Sequence, residues 1–106
     1  NCSGKHSGFL TTTQHLKAGP EYVELDHPLQ RAIKAATEEV TEETSAGFGI
    51  DGCSAPNFAM SVTALARGMA AFAKARDTGS VRERAMHRLT HSMAAHPARN
   101  ANWELR

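Results

Sequence analysis

Gly47-Phe48-Gly49-Ile50-Asp51-Gly52-Cys53-Ser54-Ala55-Pro56-Asn57-Phe58-Ala59-Met60 is too rich in glycine for a helix and too apolar for a solvated loop. Gly47, Gly49 and Gly52 permit positive φ or close backbone approach, and Pro56 drives Ala55 to an extended conformation. Between them stand an acid, a thiol and a hydroxyl: Asp51, Cys53 and Ser54. Two explanations compete, a tight buried turn between helices and a loop that presents polar side chains as a site. The second cysteine of the chain lies in Asn1-Cys2-Ser3-Gly4-Lys5-His6, and that pairing favours the site.

Outward from this loop the periodicity is helical. Before it, Pro28 at a first helical position and Leu29, Ile33, Ala36 and Val40 at helical spacing predict a helix over 28–44, capped by Asp26 or His27. Glu38, Glu39, Glu42 and Glu43 lie mainly off that stripe and form a solvated acidic face. After the loop, Ser61 is an N-cap candidate for a helix over 61–76, with Val62, Leu65, Ala66, Met69, Phe72 and Ala73 as its apolar stripe. Ser80-Val81-Arg82-Glu83 has the pattern of a capping box and opens a helix over 81–96, ended by Pro97. A poorer helix is expected over 7–17, where Thr11, Thr12 and Thr13 have low propensity. Tyr22-Val23-Glu24-Leu25 alternates as a short extended piece would, and 47–60 is the other extended candidate.

The chain of 106 residues carries twelve Lys and Arg against eleven Asp and Glu. This size permits one domain with a real core. The balanced charge argues against a dedicated polyanion binder. Arg82, Arg84, His87, Arg88 and His91 do cluster on the last helix, which keeps nucleic-acid binding in view, but Glu83 interrupts the patch. No apolar run approaches the roughly 18 residues of a membrane span, and no basic start leads into an apolar segment. A cytoplasmic protein is expected, with no membrane or nucleic-acid partner.

Chemistry concentrates in few residues. Cys2 and Cys53 are compatible with a disulfide, a metal pair or two inert thiols, and no Cys-x-x-Cys pair decides among these. Asp51 is either a turn residue bonding its own backbone or a site carboxylate. Ser3 and Ser54 are nucleophile candidates without a lysine three residues on, because no Ser-x-x-Lys sequence occurs in the chain.

Three stretches in order, Asn1-Cys2-Ser3-Gly4-Lys5-His6, Asp26-His27-Pro28-Leu29-Gln30 and Gly49-Ile50-Asp51-Gly52-Cys53-Ser54-Ala55-Pro56 followed by Phe58-Ala59-Met60, resemble the L-asparaginase II family. The resemblance runs over 1–97, a central portion of that family's length, and leaves 98–106 as a divergent or irregular tail. It implies a mainly α fragment of an α/β, β-lactamase- and glutaminase-like fold, with about four helices and short extended pieces. It further implies a piece of an enzyme that hydrolyses L-asparagine to L-aspartate and ammonia, homodimeric in its full-length form. By the same resemblance Cys2, Lys5 and Cys53 hold Zn2+, Asp51 and His6 contact substrate, and the nucleophilic serine with its lysine lies upstream. From chemistry alone His6 is the more ordinary zinc ligand; the resemblance moves the choice to Lys5. The alternative is a small helical, zinc-stabilised or structural domain without catalysis.

Overall fold

The computed structural model describes residues 2–97; Asn1 and the tail 98–106 lie outside them. Among the described residues the chain forms four helices and one small sheet, in the order α1 (Cys2–His15), α2 (Pro28–Thr41), β1 (Phe48–Ile50), β2 (Pro56–Phe58), α3 (Val62–Lys74) and α4 (Val81–Ala95). The architecture is mainly α, as expected. No helix among the described residues is long and apolar enough to cross a membrane.

The caps fall where the sequence puts them. Ser61 Oγ accepts from Ala64 N at the start of α3, and Ser80 with Glu83 completes the capping box of α4. His27 caps α2: its Nδ1 accepts from Leu29 N at 3.1 Å, and Nε2 therefore carries the proton donated to the Gly19 carbonyl oxygen at 2.9 Å. Glu43 braces the next junction, accepting from both Ser61 N at 2.7 Å and Ser61 Oγ at 2.6 Å.

Several boundaries differ. Helix α1 begins at Cys2 rather than residue 7, so Cys2 to His6 is helical. Thr11 and Thr12 sit in it by donating their hydroxyls to the Ser7 and Gly8 carbonyl oxygens, each at 2.9 Å. It closes through Lys17 at φ 53, with Ala18 N donating to Thr13 O, a left-handed closure of the kind that satisfies terminal carbonyls. Helix α2 stops at Thr41 because Glu42 also turns left-handed at φ 53. Residues 22–25 are consecutive turns, with Glu24 N on Glu21 O and His27 N on Glu24 O; their alternation reflects no strand.

Within 47–60 the extended pieces pair antiparallel in the register Phe48↔Phe58, Gly49↔Asn57, Ile50↔Pro56. Pro56 and Phe58 point inward and are buried while Asn57 is exposed. The left-handed position of the connecting loop is Ser54, at φ 61, and not one of the glycines.

Helix α2 packs on α3, α3 on α4 and α1 on α2. The core comprises Leu29, Ala55, Phe58, Ala64, Ala75 and Met86. Helix α3 is rotated from the face its large residues suggest: Ala64 and Gly68 are buried, whereas Val62 is 83 %, Leu65 50 % and Met69 54 % exposed. Close approach explains this choice, because a β-carbon at Gly68 would stand 3.3 Å from Thr41 Cγ2 of α2.

Candidate functional site

Helix α1 and the β1–β2 loop are 46 to 51 positions apart in sequence and meet through two rungs. In the first, Lys5 Nζ donates to Asp51 Oδ2. In the second, the sulfurs of Cys2 and Cys53 lie 3.2 Å apart, both as free thiols. Cys2 and Lys5 share one face of α1 because they are three residues apart, and Asp51 and Cys53 are two apart in a tight loop. A helix that began at residue 7 would not set this spacing; the helical conformation of Cys2 to Lys5 does.

By its own bonds Asp51 is a turn residue with one carboxylate oxygen to spare. Its Oδ1 accepts from Cys53 N at 2.8 Å and Ala55 N at 3.2 Å, and its backbone N–H donates to Ala55 O. That is the turn aspartate. Its Oδ2 is left for Lys5. The lysine bond first, then the two amides, hold the Asp51 carboxyl below the usual aspartate range although burial pushes the other way, so it stays an anion at neutral pH.

The Cys53 thiol is pushed up, first by the hydrogen bond it shares with Cys2, then by burial and the neighbouring Asp51 charge. Two thiolates this close repel unless a cation lies between them. Cys53 therefore keeps its proton in the free protein, and two sulfurs this close suit a soft dication. Among the described residues no group of three His, Cys, Asp or Glu is arranged to hold a metal; the donors this corner brings together are the two thiols and Lys5. The donor set fits: a neutral lysine amine has one lone pair for a metal and still two N–H groups, one of which keeps Asp51.

His6 turns to a different neighbourhood. Its Nδ1 pairs with Tyr22 Oη at 2.9 Å, and its ring meets Phe9 and Tyr22 edge-on at 6.1 and 5.7 Å between centroids. Tyr22 is itself fixed, its carbonyl oxygen accepting from Gln30 Nε2 at 2.6 Å. Phe9 also lies under Lys5, whose Nζ is 5.6 Å from the ring centroid. Phe9 and Tyr22 carry no signal in the sequence beyond being aromatic; only the fold brings them to Lys5 and His6.

Beside Lys5 a depression of about 210 Å³ is lined by Phe9, Ile33, Thr37, Pro56, Asn57 and Phe58 among others. It has room for a molecule the size of an amino acid. A larger one, about 300 Å³, lies across Phe58 between Gln30, Arg31, Lys34 and Phe48, but it has no thiol and no part of either rung. The smaller cavity is the one that adjoins the polar cluster.

A sequence model of the L-asparaginase II family matches residues 1–101, nearly the whole chain. No curated protein and no solved structure matches it.

Proposed function

Because the chain belongs to the L-asparaginase II family, we propose that the two rungs form the zinc and substrate corner of an enzyme hydrolysing L-asparagine to L-aspartate and ammonia. The observation that carries this reading is the meeting of Cys2 and Lys5 with Cys53 and Asp51 across the α1–loop junction. Zn2+ would be held by Cys2, Cys53 and Lys5, with water in the remaining position. Bound there, it would supply a fixed positive charge at the edge of the pocket.

The chain's own residues supply the rest. Lys5 ligates only as the neutral amine, and removing the proton of an ordinary lysine side chain at pH 7 costs roughly 4.6 kcal/mol. Two thiolates around a dication offset this, and Asp51 orients the amine by accepting one of its remaining N–H groups. As a persistent anion Asp51 also attracts the α-ammonium of an amino-acid substrate. His6, next to Lys5 on α1 and steadied by Tyr22 and Phe9, is the second substrate contact.

Amide hydrolysis through an acyl-enzyme needs an activated nucleophile and oxyanion donors. The 106 residues contain no Ser-x-x-Lys, so in this proposal the nucleophile comes from elsewhere in the enzyme. The test is ammonia release from asparagine. The chain alone should give the rate of buffer, and a protein joining it to a Ser-x-x-Lys segment should turn over. Zinc binding without turnover in the joined protein would leave a zinc-stabilised helical domain as the better account.

A further inference from the structure

Helix α4 carries His87 and His91, four residues apart and therefore on one face, one turn from each other. Their ring centroids lie 4.4 Å apart with the planes inclined at 56°. His87 is half-buried and His91 exposed. His87 Nδ1 lies 3.1 Å from the carbonyl oxygen of Ala75. A carbonyl only accepts, so in the neutral ring Nδ1 carries the proton and Nε2 keeps its lone pair. Ala75 is buried and caps α3, so the bond ties the ring to a fixed point of the backbone. One ring nitrogen on a carbonyl and the other free is how proteins prepare an imidazole for a metal.

We propose that His87 and His91 form a chelate for a late first-row divalent ion, Cu2+ or Ni2+ in preference to Zn2+, with water filling the remaining positions. Two imidazoles bound side by side at metal–nitrogen distances of about 2.0–2.1 Å bring their ring centres to about 4.5 Å. The observed separation needs no more than side-chain rotation to meet this. A donor set of imidazoles without carboxylates suits copper, nickel and zinc and rejects calcium and magnesium, and the order of divalent affinities puts copper first. Arg84, one turn before His87, directs its guanidinium to the Gly79 carbonyl oxygen at the helix start, which takes one positive charge away from the pair. The site shares no residue with the thiol corner on α1 and the hairpin loop, and stands or falls separately from it.

The experiment uses the full 106-residue chain with Cys2→Ser and Cys53→Ser, since thiols would compete for the probe and be oxidised by it. Cu2+ alone is titrated by calorimetry, and its coordination is read from nitrogen hyperfine structure in electron paramagnetic resonance. One ion per chain with two imidazole nitrogens is expected. His91→Ala, at an exposed position that the fold does not need, should leave one nitrogen and weaken binding at least tenfold. His87→Ala should do the same, and His96→Ala should change neither reading. An unchanged affinity and nitrogen count in His91→Ala overturns the proposal, as does loss of binding in His96→Ala.

Discussion

Lys5 and Asp51 are joined through only one of the two carboxylate oxygens, while the other oxygen holds the backbone of Cys53 and Ala55. One side chain thus shapes the loop and carries the charge that faces α1, and the two roles can be separated by substitution. Asp51→Asn keeps an acceptor for the amides and removes the charge. It should leave the helical circular dichroism intact and weaken zinc binding by about 10- to 100-fold, the usual effect of removing an orienting partner. Asp51→Ala removes both roles. In an enzyme that contains the nucleophile it should lower kcat/KM by about a hundredfold, as expected when a charged contact is truncated. An unchanged kcat/KM would leave Asp51 as a turn residue only.

Cys2→Ser and Cys53→Ser should each abolish tight zinc binding in competition with a chromophoric chelator. His6→Ala should leave it within about twofold if Lys5 is the third ligand. A loss in His6→Ala as large as in Lys5→Ala would exchange the two assignments.

Acid should loosen the junction between α2 and α3. The Ser61 hydroxyl, then its amide, holds the Glu43 carboxyl below the ordinary glutamate range. A depressed carboxyl stabilises the fold above its unfolded value, and the contribution is lost as pH falls through the folded value. From about pH 4.5 downward the melting temperature of the wild-type chain should therefore fall more steeply than that of Glu43→Gln, the two curves converging at low pH. Parallel curves would show that the Glu43–Ser61 contact is not formed in solution.

Local signals were legible and distant ones were not. Ser61, Ser80 with Glu83, and Pro28 announce their helices because a cap or a first-turn proline acts within four residues. The entry of α1 at Cys2 was hidden, since Ser3 and Gly4 are weak helix formers and the loop partner that Cys2 meets is 51 positions away. Helix α3 misled in another way. Its large apolar stripe suggests the buried face, yet burial goes to Ala64 and Gly68, where α2 can come close. Cys2, Asp51 and Cys53 stood out from the glycine-rich loop and the cysteine pairing, and Lys5 came from motif resemblance; Phe9 and Tyr22 could not be found either way. His87 and His91 read only as members of a basic cluster; their four-residue spacing goes unused there and gains meaning once the two rings are seen side by side.

Two glycine substitutions should act in opposite directions. Alanine is favoured over glycine inside a helix by about 1 kcal/mol. At Gly8 a β-carbon meets nothing within 4 Å, so Gly8→Ala should raise the melting temperature. At Gly68 it would press on Thr41 Cγ2 at 3.3 Å, and Thr41 is buried and bound through its hydroxyl to Thr37 O at 2.8 Å. The hydroxyl bond opposes the shift the methyl would need, so Gly68→Ala should lower the melting temperature despite the better propensity, overpacking costing about 1–3 kcal/mol. Thermal denaturation of the two variants checks both signs.

The approach of Cys2 to Cys53 gathers half the chain into a single loop. Any link across those sulfurs restricts the unfolded ensemble over 51 positions, a loss of freedom equivalent to about 4 kcal/mol by polymer-chain arithmetic. Helices α1 and α2 can form from neighbours in sequence, but the corner that holds Lys5 and Asp51 exists only once the far hairpin has returned to the first turn. During synthesis it is therefore completed only after α2 and the β1–β2 loop have emerged.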